Sequence, residues 1–311
     1  MATLTAPGAH TASDSEHDHS GGWRAWLLAA RVRTLPVAAA PVAVGSALAF
    51  ADGQGRALPA AAALLGALLI QLGANLANDV FDFERGADTD SRVGPPRAAQ
   101  LGLLSTRELK WGTAVVFAAA VAVGSYLVAL AGWPIALLGV VCIAAGLAYT
   151  GGPFAFGYHG LGDPAVFLFF GVVAVCGTYY VQALTLPLQA LLASFSVGAF
   201  ATAVLVVNNL RDVETDERAG KRTLAVRFGP SAARFEYAGL IGFAYGMLPV
   251  VWQNGAPAAA ALLPLLSLPL ALGLVRVVWR ASDGPTLNAV LARTAKLEVG
   301  FALLLAAGLL M

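Results

Sequence analysis

The sequence predicts an all-α, polytopic membrane protein of nine transmembrane helices. Three observations carry that expectation. Of 311 residues, 58% are hydrophobic and only 12% charged, with mean hydropathy +0.73, whereas a soluble domain carries about 25% charged residues. The apolar residues gather in runs near the ~20 needed to cross a bilayer, without the alternation of barrel strands. Lysine and arginine concentrate in alternate connections between these runs. The formal net charge of +1 gives no reason to expect a nucleic-acid partner.

Taken in order, residues 1–22 are small and polar, with His10, His17 and His19 among acidic neighbours. Such a composition cannot bury a core and predicts a disordered tail, its histidines solvated rather than metal-bound. Residues 23–311 then form a single transmembrane domain. Trp23 to Arg33 reads as an interfacial lead-in, its tryptophans at headgroup level and Arg24, Arg31 and Arg33 flanking them. Leu35 to Phe50 is the first span. Ala47-Leu48-Ala49 resembles a signal cleavage site, but the basic stretch before it lies far inside the chain, which favours a retained helix. Eight further runs follow: Leu58 to Phe81, Leu109 to Ala131, Pro134 to Tyr149, Ala165 to Leu184, Leu188 to Leu210, Phe235 to Val251, Ala256 to Trp279 and Leu291 to Leu310. The 34 glycines and abundant alanine would let such helices approach closely. Cys142 and Cys176 sit in separate runs and read as buried thiols.

With the N-terminus cytoplasmic, every Lys and Arg except Arg56 falls on the cytoplasmic side. So lopsided a split supports the helix count, a cell-membrane location and a C-terminus on the outer side.

The chemistry concentrates where two apolar runs end. In the first stretch Asn75, Asn78, Asp79 and Asp82 stand at i, i+3, i+4 and i+7, one face of a helix. A carboxylate near hydrocarbon costs about 2.5–3.5 kcal/mol, so two on one face imply a partner. The plain alternative is a helix that ends in water with an acidic loop. A second stretch weighs against it: Asn208-Asn209-Leu210-Arg211-Asp212-Val213-Glu214-Thr215-Asp216. Nine of the 18 acidic residues lie in these two windows, which share the cytoplasmic face. Mg²⁺ is commonly held by one or two carboxylates while substrate phosphates complete its shell. Asp79 and Asp82 facing Asp212 and Asp216 could therefore hold Mg²⁺ around a diphosphate and neutralise a departing pyrophosphate. Arg211 and Lys221 are the candidate phosphate contacts, with Asn78 beside them. The other basic residues here, Arg92, Arg97 and Arg222, read mainly as topological anchors. Asn75, Asn208 and Tyr158 are candidate substrate contacts. The faces of Tyr149 and Tyr158 could stabilise a carbocation, and His159 reads as a solvated loop residue.

These residues carry a resemblance. Asn78-Asp79-Val80-Phe81-Asp82 with Asp88, Tyr149-Thr150-Gly151-Gly152-Pro153, and Asn208-Asn209-Leu210-Arg211-Asp212 through Asp216, then Gly220-Lys221-Arg222, resemble the UbiA superfamily of intramembrane aromatic prenyltransferases. The Tyr-Thr-Gly-Gly-Pro and Asn-Asn-x-Arg-Asp segments point to its naphthoate-prenylating branch. The resemblance runs from about Arg31 to the C-terminus. It implies a nine-helix bundle around a central cavity, with Mg²⁺ held by Asp79, Asp82, Asp88, Asp212 and Asp216. The implied substrates are a polyprenyl diphosphate and 1,4-dihydroxy-2-naphthoate, joined with loss of CO₂ and diphosphate in menaquinone biosynthesis. One departure stands out. The superfamily places its third Asp four residues after the second; here that position is Gly86, and Asp88 follows. Two other readings stay open: a 4-hydroxybenzoate or homogentisate acceptor, and an ion-coupled transporter, which would place its acids near mid-bilayer.

Overall fold

A computed structural model describes residues 22–88 and 92–311. The expected tail, apart from Gly22, and Asp90 of the first acidic stretch lie outside the described residues. Every regular element among the described residues is helical, as a lipid environment requires of a chain that must satisfy its backbone internally. The α-helices are α1 (Trp23–Ala30), α2 (Leu35–Ala51), α3 (Ala57–Glu84), α4 (Thr106–Ala131), α5 (Trp133–Ala148) and α6 (Gly162–Val166), followed by α7 (Ala174–Ala183), α8 (Leu188–Arg211), α9 (Val213–Arg218), α10 (Leu224–Gln253), α11 (Ala258–Leu262), α12 (Leu268–Arg280) and α13 (Gly284–Leu309).

Among the described residues, seven helical runs are long and apolar enough to cross a membrane: Trp23–Ala51, Ala57–Glu84, Thr106–Ala131, Gly162–Ala183, Leu188–Arg211, Leu224–Gln253 and Ala258–Arg280. The chain is an integral membrane protein, and seven of its helical runs among the described residues reach spanning length and hydropathy where nine were expected. Of the other two, α5 has only 16 residues, about 24 Å at 1.5 Å per residue against a ~30 Å hydrocarbon core. α13 has length enough at 26 residues but carries Arg293, Lys296 and Glu298 in its middle. The lead-in is helical and packs against the bundle. α1 joins α2 through a single 3₁₀ turn, Val32–Thr34. Its Ala25 and Ala29 pack with Leu76, Val80, Ala98 and Leu109, so α1 covers the end of α3 and the loop behind it.

α8 is the most buried span; it packs against α2, α7, α10 and α13. Phe200 of α8, Tyr237 of α10 and Phe301 of α13 are the largest fully buried side chains among the described residues. Close packing by small residues, rather than a hydrophobic drive absent in lipid, holds such helices together. A π-helical stretch, Phe167–Val173, lies between α6 and α7, and there Gly171 meets α8. A Cβ at Gly171 would lie 2.6 Å from the Gly198 Cα. Both cysteines are free, Cys176 buried and Cys142 half-buried.

Three helices begin with side-chain caps at one end of the bundle. Ser105 and Glu108 form a capping box on α4, Thr223 accepts from the Val226 amide on α10, and Asp283 accepts from the Thr286 amide on α13. The loop after α3 crosses this end: Asn288 of α13 donates to the Val93 carbonyl at 3.1 Å. α2, α3, α4, α5, the π-helical stretch and α7 line a cavity of about 650 Å³ that reaches Asn78 and Tyr149.

Candidate active site

The first acidic stretch is the C-terminal end of α3. A helix C-terminus is electronegative, so carboxylates there need compensation. It comes from Arg97, whose Nη2 donates to Asp82 Oδ2 at 2.8 Å and Nη1 to the Asn78 carbonyl at 3.0 Å. Its Nε lies 3.1 Å from Asp88 Oδ2, and Arg92 also pairs with Asp88. Burial works against the Arg97 charge, but Asp82, Asp88 and Asp79 outweigh it and hold its pKa above the ordinary arginine value. The Ala98 amide donates to Asp79 Oδ2 at 3.2 Å.

Gly86 closes α3 with φ +70, its amide donating to Phe83 O and that of Ala87 to Asp82 O. An L side chain is strained in that left-handed cap. Glycine at position 86 suits that cap, and Asp88 follows it in the loop.

The second stretch straddles the break between α8 and α9. Asp212 ends α8, and Arg211 pairs with it through Nε at 2.7 Å. The same guanidinium donates to Asn208 Oδ1 at 2.9 Å and Asn288 Oδ1 at 2.8 Å. Asp216 lies buried in α9, 3.4 Å from Lys221 Nζ. Burial pushes its carboxyl up to about 6, Lys221 pulling down and Asp212 pushing further up.

The two stretches meet at one end of the bundle. Asp82 and Lys221 are both within electrostatic reach of Asp216, and Arg92 feels both Asp88 and Asp212. Gly94 passes so close to Arg211 that a Cβ there would lie 2.8 Å from its Nη2. Tyr158, in a 3₁₀ turn at Phe156–His159, donates from its hydroxyl to Asp82 Oδ1 at 2.8 Å, and its carbonyl accepts from the Arg222 amide at 2.9 Å. Arg85 and Lys221 stand 5.2 Å and 5.9 Å from the Tyr158 ring centroid. Burial and then Asp82 raise the Tyr158 phenol pKa, so it stays a donor. Tyr149 follows α5 and lines the cavity, its ring edge-on to Phe156. Burial first, then Asp163, Asp82 and Asp216, raise its pKa too.

Asn75 lines the cavity beside Asn78, and both it and Asn208 carry hydrogen bonds within the protein. Asn75 gives its amide to the Ala30 carbonyl at 2.9 Å and to Thr34 Oγ1 at 3.2 Å. Asn208 is held by Arg211. Asn78 lines the cavity with its Oδ1 bonded by Thr150 at 2.8 Å. Arg97 reads in the sequence as an anchor for topology, yet it is the residue that ties the first stretch together. The two prolines before it, which put a rigid turn in a short loop, were its only signal.

Among the described residues no group of three or more His, Cys, Asp or Glu side chains converges as around a metal ion. The donor chemistry nonetheless fits a hard cation. Asp79 Oδ1 and Asp216 Oδ2, one on each stretch, are buried without a hydrogen-bond partner, and an orphaned carboxylate oxygen is costly unless something positive meets it.

The model of the UbiA prenyltransferase family matches residues 38–309. The chain belongs to the UbiA prenyltransferase family. A 1,4-dihydroxy-2-naphthoate octaprenyltransferase of Haemophilus influenzae is 36% identical over 300 residues, covering 92% of this chain and 95% of that protein. The protein of the same name from Mycobacterium tuberculosis is 40% identical over 285 residues, covering 91% and 96%. In fold the chain is similar to a UbiA homolog from Archaeoglobus fulgidus solved with DMAPP and Mg²⁺, with TM-score 0.62, 16% identity, and 91% of this chain and 99% of that one covered.

Proposed function

We propose that this UbiA-family chain transfers a polyprenyl group from polyprenyl diphosphate to 1,4-dihydroxy-2-naphthoate, releasing diphosphate and CO₂ and yielding a demethylmenaquinol. One observation carries the reading: two acidic helix ends meet beside an apolar cavity of about 650 Å³ whose lining includes Asn78 and Tyr149. The relatives' shared name supplies the acceptor. A diphosphate needs the polar end and an isoprenoid tail needs the walls, where Ala63, Ile70, Phe169 and Val173 stand.

Asp79, Asp82, Asp88, Asp212 and Asp216 would hold Mg²⁺, which when bound neutralises the diphosphate and eases its departure. Arg211 and Lys221 add positive charge beside Asp212 and Asp216, and Asn78 stands at the boundary between chamber and cavity. The C–O bond to diphosphate breaks, and the allylic cation is sheltered from water by the apolar walls and faced by Tyr149. The ring carbon bearing the carboxylate forms the new C–C bond, and CO₂ leaves with the proton count unchanged. Tyr158 fixes Asp82 through its hydroxyl. Asn75 acts through the α1–α2 turn, and Asn208 through Arg211. We place this end at the cytoplasmic face, with the N-terminus inside and the C-terminus outside, on the distribution of Lys and Arg.

Purified protein in detergent with Mg²⁺, farnesyl or longer diphosphate and competing aromatic acceptors tests the reading. A naphthoate product lighter by one CO₂ than the simple adduct is expected. Prenylated 4-hydroxybenzoate or homogentisate instead would move the chain to another acceptor class, and no pyrophosphate release would end the enzymatic reading.

A further inference from the structure

A second apolar groove, of about 330 Å³, lies between α2, α3 and α13. Small side chains floor it, Ala39 and Ala43 from α2 and Ala60 and Ala61 from α3, and Val299 and Leu303 of α13 close the third side. Leu303, Pro36, Ala61 and Leu64 are exposed, so the groove opens on the membrane-facing surface. Of the described residues, Val42 alone lines both this groove and the large cavity. Pro36 and Ser46 are its first and last lining residues on α2, about 15 Å apart at 1.5 Å per residue. Half of a ~30 Å hydrocarbon core has the same length, so the groove is as deep as one leaflet.

Charge gathers at one end of it. α2 and α13 both run away from the acidic chamber, since Asn75 bonds Thr34 just before α2 and Asn288 near the start of α13 bonds Arg211. Pro36 and Val299 are therefore the lining residues nearest the chamber on these two helices. Three residues before each stands an exposed cation, Arg33 and Lys296, and three before Lys296 stands a third, Arg293. Steps of three and four keep to one side of a helix, so Lys296 continues the side that Val299 and Leu303 present to the groove, and Arg293 flanks it. Among the described residues none of these cations forms an ion pair. Glu298 cannot serve: it is buried in the bundle, and two residues on from Lys296 is about 200° around the helix. A topological anchor needs only a loop. Arg293 and Lys296 stand inside α13 instead, beside an apolar groove, where an uncompensated charge is costly and a long cationic side chain reaches for phosphate at headgroup level.

We propose that this groove holds an anionic glycerophospholipid from the leaflet at the chamber end, one acyl chain lying along α2 and its phosphate among Arg33, Arg293 and Lys296. Such a lipid is a resident of the fold and not a reactant, so its binding does not depend on prenyl transfer.

Purified protein in detergent, titrated with phosphatidylglycerol or phosphatidylcholine of the same acyl chains and read by native mass spectrometry, tests the site. The wild type should bind phosphatidylglycerol at least ~10-fold more tightly; equal binding of the two lipids would overturn the inference. Arg293→Gln with Lys296→Gln should cut the preference about fivefold per residue, the ~1 kcal/mol a basic residue contributes near an anionic surface. Arg276→Gln with Arg280→Gln, exposed on α12 and outside the groove, removes the same charge and should leave the preference within about twofold. Ala61→Phe, at an exposed position on the groove, should weaken both lipids together and spare their ratio. An equal loss in the α12 and α13 variants would reduce the effect to general surface charge and overturn the site, as would unaltered binding in Ala61→Phe. Farnesyl diphosphate at equal concentration should not displace phosphatidylglycerol from the wild type. Displacement would give the groove to a prenyl diphosphate and overturn the phospholipid assignment.

Discussion

Asp82 is the residue on which most of the chamber converges, taking Arg97 on one oxygen and Tyr158 on the other. Asp212 occupies the matching place at the end of α8. Asp82→Asn or Asp212→Asn keeps the shape and removes one negative charge from the proposed cation site. Turnover should fall at least ~10²-fold, the scale of losing an important electrostatic contact to the transition state. Steady-state rates at saturating substrate and Mg²⁺ check this, and wild-type turnover in either variant would refute the metal assignment. Asp216 adds a pH dependence. Its carboxyl titrates at about 6 rather than the ordinary 3.8, so below that pH a cation must displace a proton to bind. Apparent Mg²⁺ affinity, followed by titration of pyrophosphate binding, should weaken as pH falls through about 6, by up to ~10-fold per unit. The stability sign is opposite. A folded pKa above the unfolded one means the folded state takes the proton more readily, so this group favours the metal-free fold more as pH drops from 6 toward 4. Asp216→Asn should flatten both trends.

At the scale of elements, the π-helical stretch and α8 touch through glycine. A side chain at Gly171 would meet the Gly198 Cα at 2.6 Å and the Ser194 carbonyl at 2.8 Å, both backbone atoms that cannot rotate away. Gly171→Ala should therefore destabilise by about 1–3 kcal/mol, the range of an overpacked core. Gly66→Ala, where a Cβ meets nothing within 4 Å, should instead raise the midpoint of detergent-based unfolding slightly, since alanine inside a helix gains about 0.5–1 kcal/mol over glycine. These contacts also show what the sequence could and could not say. The apolar runs marked most helices within a few residues, because length and hydropathy are local. The fusion of α1 with α2 was not visible, since one 3₁₀ turn is too short to alter composition. In the chamber, the acidic residues announced themselves by their cost near hydrocarbon. Arg97 did not, because a cation beside a membrane helix already has a topological explanation and only geometry shows that it pairs with Asp82 and Asp88.

The molecule as a whole separates charge from hydrocarbon along one axis. Asp82, Asp216, Arg97, Arg211 and Lys221 gather at one end, and the cavity runs from Asn78 and Tyr149 down walls built by α3, α4 and α5. On those walls Gly66, Gly124 and Gly139 each line the cavity with open space where a Cβ would stand. Glycine inside a helix gives up about 0.5–1 kcal/mol relative to alanine, so three of them on one surface trade helix stability for width. Width at that depth matters only to the tail of a long donor. Filling it should leave the chemistry at the polar end intact while excluding the later isoprene units. Gly124→Phe is therefore expected to lower kcat/KM for a long polyprenyl diphosphate at least ~10-fold relative to dimethylallyl diphosphate, a loss of about 1.4 kcal/mol of differential binding. Paired assays with the two donors read this directly. An equal loss for both would mean that the substitution disturbs the chamber, and no loss for either would mean that the tail leaves the cavity for lipid before it reaches α4.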